Sequence, residues 1–329
     1  MQQRPLGNSG LWVSRLGLGT MTWGRDTDEH EARDQWKSFH EAGGNYIDTA
    51  DVYAEGASEE IVGMLMDETA SREQTVLATK SVSRPRTTRR FDASRAHLLR
   101  SLEGSLRRLG TDYVDIWFLH AWDPATPMAE TLSAADDAVR SGKTRYVGIS
   151  NYAGWQLARA ATWQQALPER SLIVAAQMEY SLVQRGIERE IVPAAEDLGV
   201  GIVPWSPLGR GVLTGKYRYG TPSDSRAASQ HFGAFVSEYL DDASRRVTDA
   251  VCTAAEGLDV HPLEVAMAWV RDRPGVVAPV TGARTISQLR AVLESEHLEL
   301  PEEIRVALDD ISAPDLGYPE FGWNQLDRT

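Results

Sequence analysis

The chain has 329 residues, 42% of them apolar, which suits either two domains or one large α/β barrel whose core needs no disulfide or metal staples. With 34 Lys plus Arg against 47 Asp plus Glu the net charge is −13, a surface that repels nucleic-acid phosphates and anionic lipid. Cys252 is the only cysteine, which excludes a disulfide-rich secreted scaffold and a Cys-rich zinc cluster.

Two short apolar pieces flank Gly7-Asn8-Ser9-Gly10 and predict a β-hairpin, suited to plugging one end of a barrel. Branched, largely apolar runs then predict strands at 15–19, 46–48, 75–80, 113–120, 146–150, 173–178, 201–205 and 276–280. Several lack polar alternation, as parallel strands covered on both faces do. Helices are expected between them at 28–41, 58–66, 92–109, 127–141, 152–163, 188–198, 263–271 and 286–295. The first opens on an acidic turn and stops at Ala42-Gly43-Gly44, and the third lines up Leu98, Leu102, Leu106 and Leu109 on one face. Eight β–α alternations favour a (β/α)8 barrel, the TIM-barrel fold of the α/β class, over an open sheet. No composition shift marks a boundary, so 1–329 reads as one domain. The segment 218–230, dense in Ser, Gly, Pro and Asp, suits either an active-site cover or a disordered insert. No run approaches the roughly 20 apolar residues of a membrane span. Met1 to Pro5 lacks the apolar stretch of a signal peptide. A cytoplasmic protein with no nucleic-acid or membrane partner is expected.

Parallel strands of a barrel converge on one face, so distant polar residues meet there. Asp48, Lys80 and His120 end the second, third and fourth strands, and Tyr53 follows Asp48 by five residues. Free tyrosine, with a pKa of about 10, is a reluctant acid near neutrality. A Lys80 ammonium is expected to lower it, Asp48 to keep that lysine charged, and His120 to orient a carbonyl by a hydrogen bond. Each group alone also suits a solvated pair, a core histidine or loop packing; all four at consecutive strand ends do not.

Phosphate motifs are weak. Gly17-Leu18-Gly19 lacks the third glycine of a dinucleotide fingerprint, and Gly211 to Lys216 misses Walker spacing. Ser206-Pro207-Leu208-Gly209-Arg210-Gly211 nevertheless offers backbone N–H groups for a pyrophosphate, and Arg284 before a helix offers a phosphate clamp or a solvated arginine. The seven histidines are scattered, none in H-x-x-x-H, so no metal is expected.

A series of motifs resembles the aldo-keto reductases, in particular the bacterial branch related to potassium-channel β subunits. It runs from Gly44-Asn45-Tyr46-Ile47-Asp48-Thr49-Ala50-Asp51-Val52-Tyr53 through Ala78-Thr79-Lys80 and Phe118-Leu119-His120. It continues with Gly148-Ile149-Ser150-Asn151, Gln177-Met178-Glu179-Tyr180-Ser181, Trp205-Ser206-Pro207-Leu208, and Gly282-Ala283-Arg284 with Gln288. The resemblance implies NADPH-dependent reduction of aldehydes or ketones, with Tyr53 as general acid, Lys80 and Asp48 tuning it, and His120 orienting the carbonyl. It implies that Ser150, Asn151 and Gln177 hold the nicotinamide carboxamide and that Trp205 stacks on the ring. Ser206, Pro207, Leu208, Gly209, Gly211 and Lys216 then form the pyrophosphate loop. Gly282, Arg284 and Gln288 take the adenosine-phosphate end, and Thr20 joins the cofactor residues. Val292 stands where relatives often carry an adenine-binding Asn.

Trp23 and Trp122 are expected to wall the substrate pocket, although core packing explains them equally well, and the aromatic tail at 317–323 is expected to fold over the same face. The partner is a small-molecule carbonyl compound. Two rivals stand beside this reading: an NADPH-binding regulatory subunit with little turnover, and a Schiff-base enzyme using Lys80 as a neutral nucleophile.

Overall fold

A strand that is apolar at every position needs cover on both faces, and here helices outside and side chains inside supply it. The computed structural model describes residues 1–69, 72–223, 225–229, 232–315 and 317–318. The chain opens with the expected hairpin, β1 (Gln3–Pro5) and β2 (Trp12–Ser14), paired antiparallel. Eight parallel strands follow: β3 (Gly17–Gly19), β4 (Tyr46–Asp48), β5 (Val76–Ser81), β6 (Val114–Leu119), β7 (Thr144–Ser150), β8 (Ile173–Glu179), β9 (Gly201–Trp205) and β10 (Val280–Thr281). They close into a barrel in which β10 pairs with both β3 and β9, a (β/α)8 TIM barrel.

Helices α1 (Glu29–Glu41), α2 (Ala57–Thr69), α3 (Arg95–Leu109), α4 (Met128–Arg140), α5 (Gly154–Gln165) and α6 (Ile191–Leu198) alternate with the strands. Asp28 caps α1 by accepting from the Glu31 backbone N–H, and Gly110, at φ 62°, ends α3 in the left-handed region. After β9 come α7 (Gly233–Ser237), α8 (Asp242–Leu258) and α9 (Pro262–Arg271); α10 (Ile286–Glu294) and α11 (Glu302–Ile311) follow β10.

Leu6 and Val13 of the hairpin are fully buried against Tyr46, Val76, Ile116, Val174 and Val277, at the strand N-termini. The hairpin thus closes the end of the barrel opposite the catalytic candidates. Gly7 permits this approach: its φ is 54°, and a Cβ there would stand 2.4 Å from the Val174 carbonyl oxygen.

The eighth strand is shorter than expected. Val276 makes only an isolated bridge with Ile202, and Pro279, which has no N–H to donate, interrupts the ladder before Val280. α7, α8 and α11 were not expected. The apolar face of α8 is built from small residues, Val247, Val251, Cys252 and Ala255, in a polar sequence, and its start is fixed by Asp241 accepting from Ser244 N–H. Among the described residues no helix is long and apolar enough to cross a membrane.

Candidate active site

Adjacent strands bring the catalytic candidates together. In the ladder β4 lies beside β5 and β5 beside β6, with Asp48 opposite Ala78 and Lys80 opposite Phe118. The backbone pairing continues past the strands: Asp51 N–H donates to the Lys80 carbonyl and His120 N–H to that of Ser81. Lys80 is completely buried. Its Nζ donates to Asp48 Oδ1 at 2.5 Å, to the Thr49 carbonyl at 2.8 Å and to the Tyr53 hydroxyl at 3.2 Å. Gln177 Nε2 donates to the second Asp48 oxygen at 2.7 Å, so both carboxylate oxygens are engaged. Just beyond Tyr53, Ala54 (φ 46°) and Glu55 (φ 61°) hold left-handed backbone, strain of the kind found beside reacting groups.

Burial alone drives the Lys80 pKa down, but Asp48 and Tyr53 outweigh it and the ammonium is held above its ordinary range. The Tyr53 result corrects the expectation from sequence. Burial pushes the phenol above its ordinary value, and Lys80 opposes that rise without reversing it. His120, by burial and then by the neighbouring Lys80, is driven down to about 3 and is a neutral imidazole. Its ring stands edge-on to Tyr53 with centroids 6.2 Å apart, and its buried Nδ1 finds no hydrogen-bond partner among the described residues.

Asp48, Tyr53 and His120 line a cavity of about 730 Å³, with Lys80 buried behind them. Of the residues expected to hold a cofactor, Ser150, Asn151, Gln177, Trp205, Ser206, Pro207, Leu208, Gly211, Lys216, Gly282, Arg284 and Gln288 line it. Asn151 locks two walls together: its amide donates to the His120 carbonyl, and its Oδ1 accepts from the Trp205 indole at 3.0 Å. Ser206, Gly209, Arg210 and Gly211 all have positive φ, a run that turns backbone N–H groups toward a common anion. A Cβ on Gly211 would lie 3.2 Å from Lys216 Nζ, so glycine keeps the space beside that ammonium clear. After β10, Gln288 Oε1 accepts from Arg284 N–H, and Val292 gives an apolar wall continuous with Leu16, Leu263 and Met267. Polar side chains, turned N–H groups and cations thus line one cavity, a donor set that fits a nicotinamide dinucleotide.

Several expected residues lie elsewhere. Thr20 is buried, hydrogen-bonded to the Asp48 carbonyl and Ser58, and Gly209 is packed behind the loop against Val183. Trp23 is no pocket wall: the tight turn after β3 points its indole into the core, where Nε1 donates to Gln35. Trp122 is half-buried, edge-on to Tyr152 and Trp155, and does not line the cavity. Of the aromatic tail, Tyr318 is exposed and its carbonyl accepts from Arg189, while Phe321 and Trp323 lie outside the described residues.

Sequence reasoning missed Phe235, which lines the cavity 6.3 Å from Trp205 and nearly parallel to it. It also missed the role of Arg210, which holds Glu179 bidentately, donates to the Phe235 carbonyl and pairs with Glu238, tying α7 over the site. The only signal for Arg210 was a long side chain among glycines in a turn.

Comparison with known proteins agrees with this fold. The model of the aldo/keto reductase family matches residues 15–313. The "Uncharacterized oxidoreductase YrpG" of Bacillus subtilis is 37% identical over 324 residues, covering 94% of this chain and 96% of that protein. A "Probable voltage-gated potassium channel subunit beta" of Oryza sativa is 36% identical, covering 88% and 89%. "Protein tas" of Escherichia coli is 32% identical, covering 94% and 97%. The family match begins just before β3 and ends just past α11, and the chain belongs to the aldo/keto reductase family.

Proposed function

We propose that this protein reduces aldehyde or ketone carbonyls of small molecules to alcohols in the cytoplasm, with NADPH as cofactor and Tyr53 as general acid. The observation that carries the reading is the buried Lys80 ammonium, bonded at once to Asp48 and to the hydroxyl of Tyr53, both of which line the cavity. NADPH, when bound, supplies a hydride. A carbonyl oxygen set between Tyr53 and His120 accepts hydrogen bonds from the phenol and from the neutral imidazole's N–H. As that oxygen becomes negative, Tyr53 gives it a proton, and the phenolate left behind is stabilised by Lys80. Asp48 keeps Lys80 charged, and Gln177 holds Asp48 in place. The same ion pair denies Lys80 the neutral amine that a Schiff base requires. Arg284 is assigned to the 2′-phosphate because a guanidinium meets that added charge bidentately.

Steady-state NADPH oxidation with a panel of aldehydes and ketones tests the reading. Wild type turns over, and Tyr53→Phe loses about 100-fold or more of kcat while NADPH still binds. Retained turnover in that variant would remove Tyr53 from its role. NADPH binding without turnover of any carbonyl would favour a regulatory subunit, the reading that the channel-subunit relatives support.

A further inference from the structure

The chain is acidic, yet residues 81–110 hold eight arginines against only Asp92 and Glu103. Four of them, Arg84, Arg86, Arg89 and Arg90, lie in the strap that joins β5 to α3. The strap leaves β5 just after Lys80 and Ser81, and so stands on the catalytic face of the barrel. It is an ordered hairpin: Ser83 pairs antiparallel with Phe91, and Arg84 N–H donates to the Arg90 carbonyl at 2.7 Å. At its root Val82 is fully buried with φ 113°, a strained conformation for a β-branched residue that its surroundings must enforce.

The arginines divide by partner. Arg89 donates to Asp123 and Thr126, in the loop just past His120, and Arg84 pairs with Asp92. These contacts moor the hairpin. Arg86 instead reaches Glu55, two residues past Tyr53, at 2.6 Å, with side chains 78% and 70% exposed. A pair so exposed contributes little to stability and exchanges readily for another anion. Arg90 is exposed and has no carboxylate partner among the described residues. Because β5 lies between β4 and β6, the hairpin stands between the loops that carry Tyr53 and His120. Through Glu55, two residues past Tyr53, Arg86 stands beside the loop at which a substrate carbonyl would be held.

Resting on the carbonyl-reductase reading, we propose that the preferred substrates carry an anionic group, carboxylate or phosphate, several bonds from the carbonyl, and that Arg86 and Arg90 receive it. Guanidinium forks match both oxyanions bidentately, and on an acidic molecule a local positive patch draws anions toward this face.

The test is kcat/KM for matched pairs, benzaldehyde against 4-carboxybenzaldehyde and glyceraldehyde against glyceraldehyde 3-phosphate. The neutral members report on carbonyl reduction itself; the anionic-to-neutral ratio reports on the hairpin. Expected is a ratio of about ten or more in at least one pair, carried by KM and reduced at about 0.5 M salt, where exposed charges are screened. The pair that shows it separates carboxylate from phosphate. Arg86→Gln and Arg90→Gln, singly and together, should lower the ratio, whereas Glu55→Gln, which frees Arg86, should raise it. A ratio near one, or one that these variants leave unchanged while neutral aldehydes are turned over, overturns the proposal. Failure to reduce any of the four overturns the parent reading and this one with it.

Discussion

At the scale of single residues, the site is organised around one buried ammonium. Lys80 is tolerable inside the barrel because Asp48, the Thr49 carbonyl and Tyr53 satisfy it, and Asp48 in turn is tied to Gln177. His120 shows the complementary solution, a histidine kept neutral by burial with Lys80 nearby. Its pKa of about 3 means that the pH profile of kcat should carry no histidine step between about pH 5 and 9. A step there that disappears in His120→Gln would contradict this. Asp51, two residues before Tyr53, behaves differently. Burial raises its pKa from 3.8 to about 7, with Glu59 adding to the rise and the Ser101 hydroxyl and Arg108 opposing it. The folded protein therefore holds this proton more tightly than the unfolded chain, so stability falls as pH rises from about 4 to about 7 and levels off above. Asp51→Asn should remove that decline, raising Tm relative to wild type more at pH 8 than at pH 5; an equal offset at both would contradict the assignment.

At the scale of elements, the N-terminal hairpin is part of the barrel core. Leu6→Ala should cost about 2–5 kcal/mol in denaturant unfolding, the range for a fully buried leucine. A loss of a few tenths would mean that the plug contributes little. The sequence made the hairpin and the barrel strands readable because apolar runs between turn signals leave few alternatives. It also made the convergence of Asp48, Tyr53, Lys80 and His120 readable, since ionisable residues at strand ends meet whatever lies between them. It misled where a side chain's direction depends on a local turn, as at Trp23, whose indole packs into the core toward Gln35. It was silent on α7 and Phe235, which reach the cavity through Arg210 and two carboxylates rather than through any periodic pattern. The Tyr53 pKa was misjudged for a similar reason: adjacency to Lys80 was visible in the motif, while the depth of burial that outweighs it belongs to the assembled barrel.

At the scale of the whole molecule, a net charge of −13 surrounds a cavity lined by Lys216 and Arg284, while its third cation, Arg210, is held by Glu179 and Glu238. The proposed NADPH, a polyanion, would be drawn to those two cations while the acidic surface elsewhere repels it. Arg284→Ala should weaken NADPH binding by about tenfold or more and NADH binding far less, because only the former carries the 2′-phosphate. Equal weakening of both, in direct binding measurements, would place Arg284 elsewhere. The most direct test of carbonyl reduction at this site follows the hydrogen itself. NADPH deuterated at C4, as each of the two epimers, is incubated with the protein and an aldehyde, and the alcohol is analysed by mass spectrometry. Predicted is one deuterium on the carbinol carbon from only one epimer, at a rate that Tyr53→Phe lowers by about 100-fold or more. An alcohol carrying no deuterium from either epimer, or an undiminished rate in that variant, would contradict it.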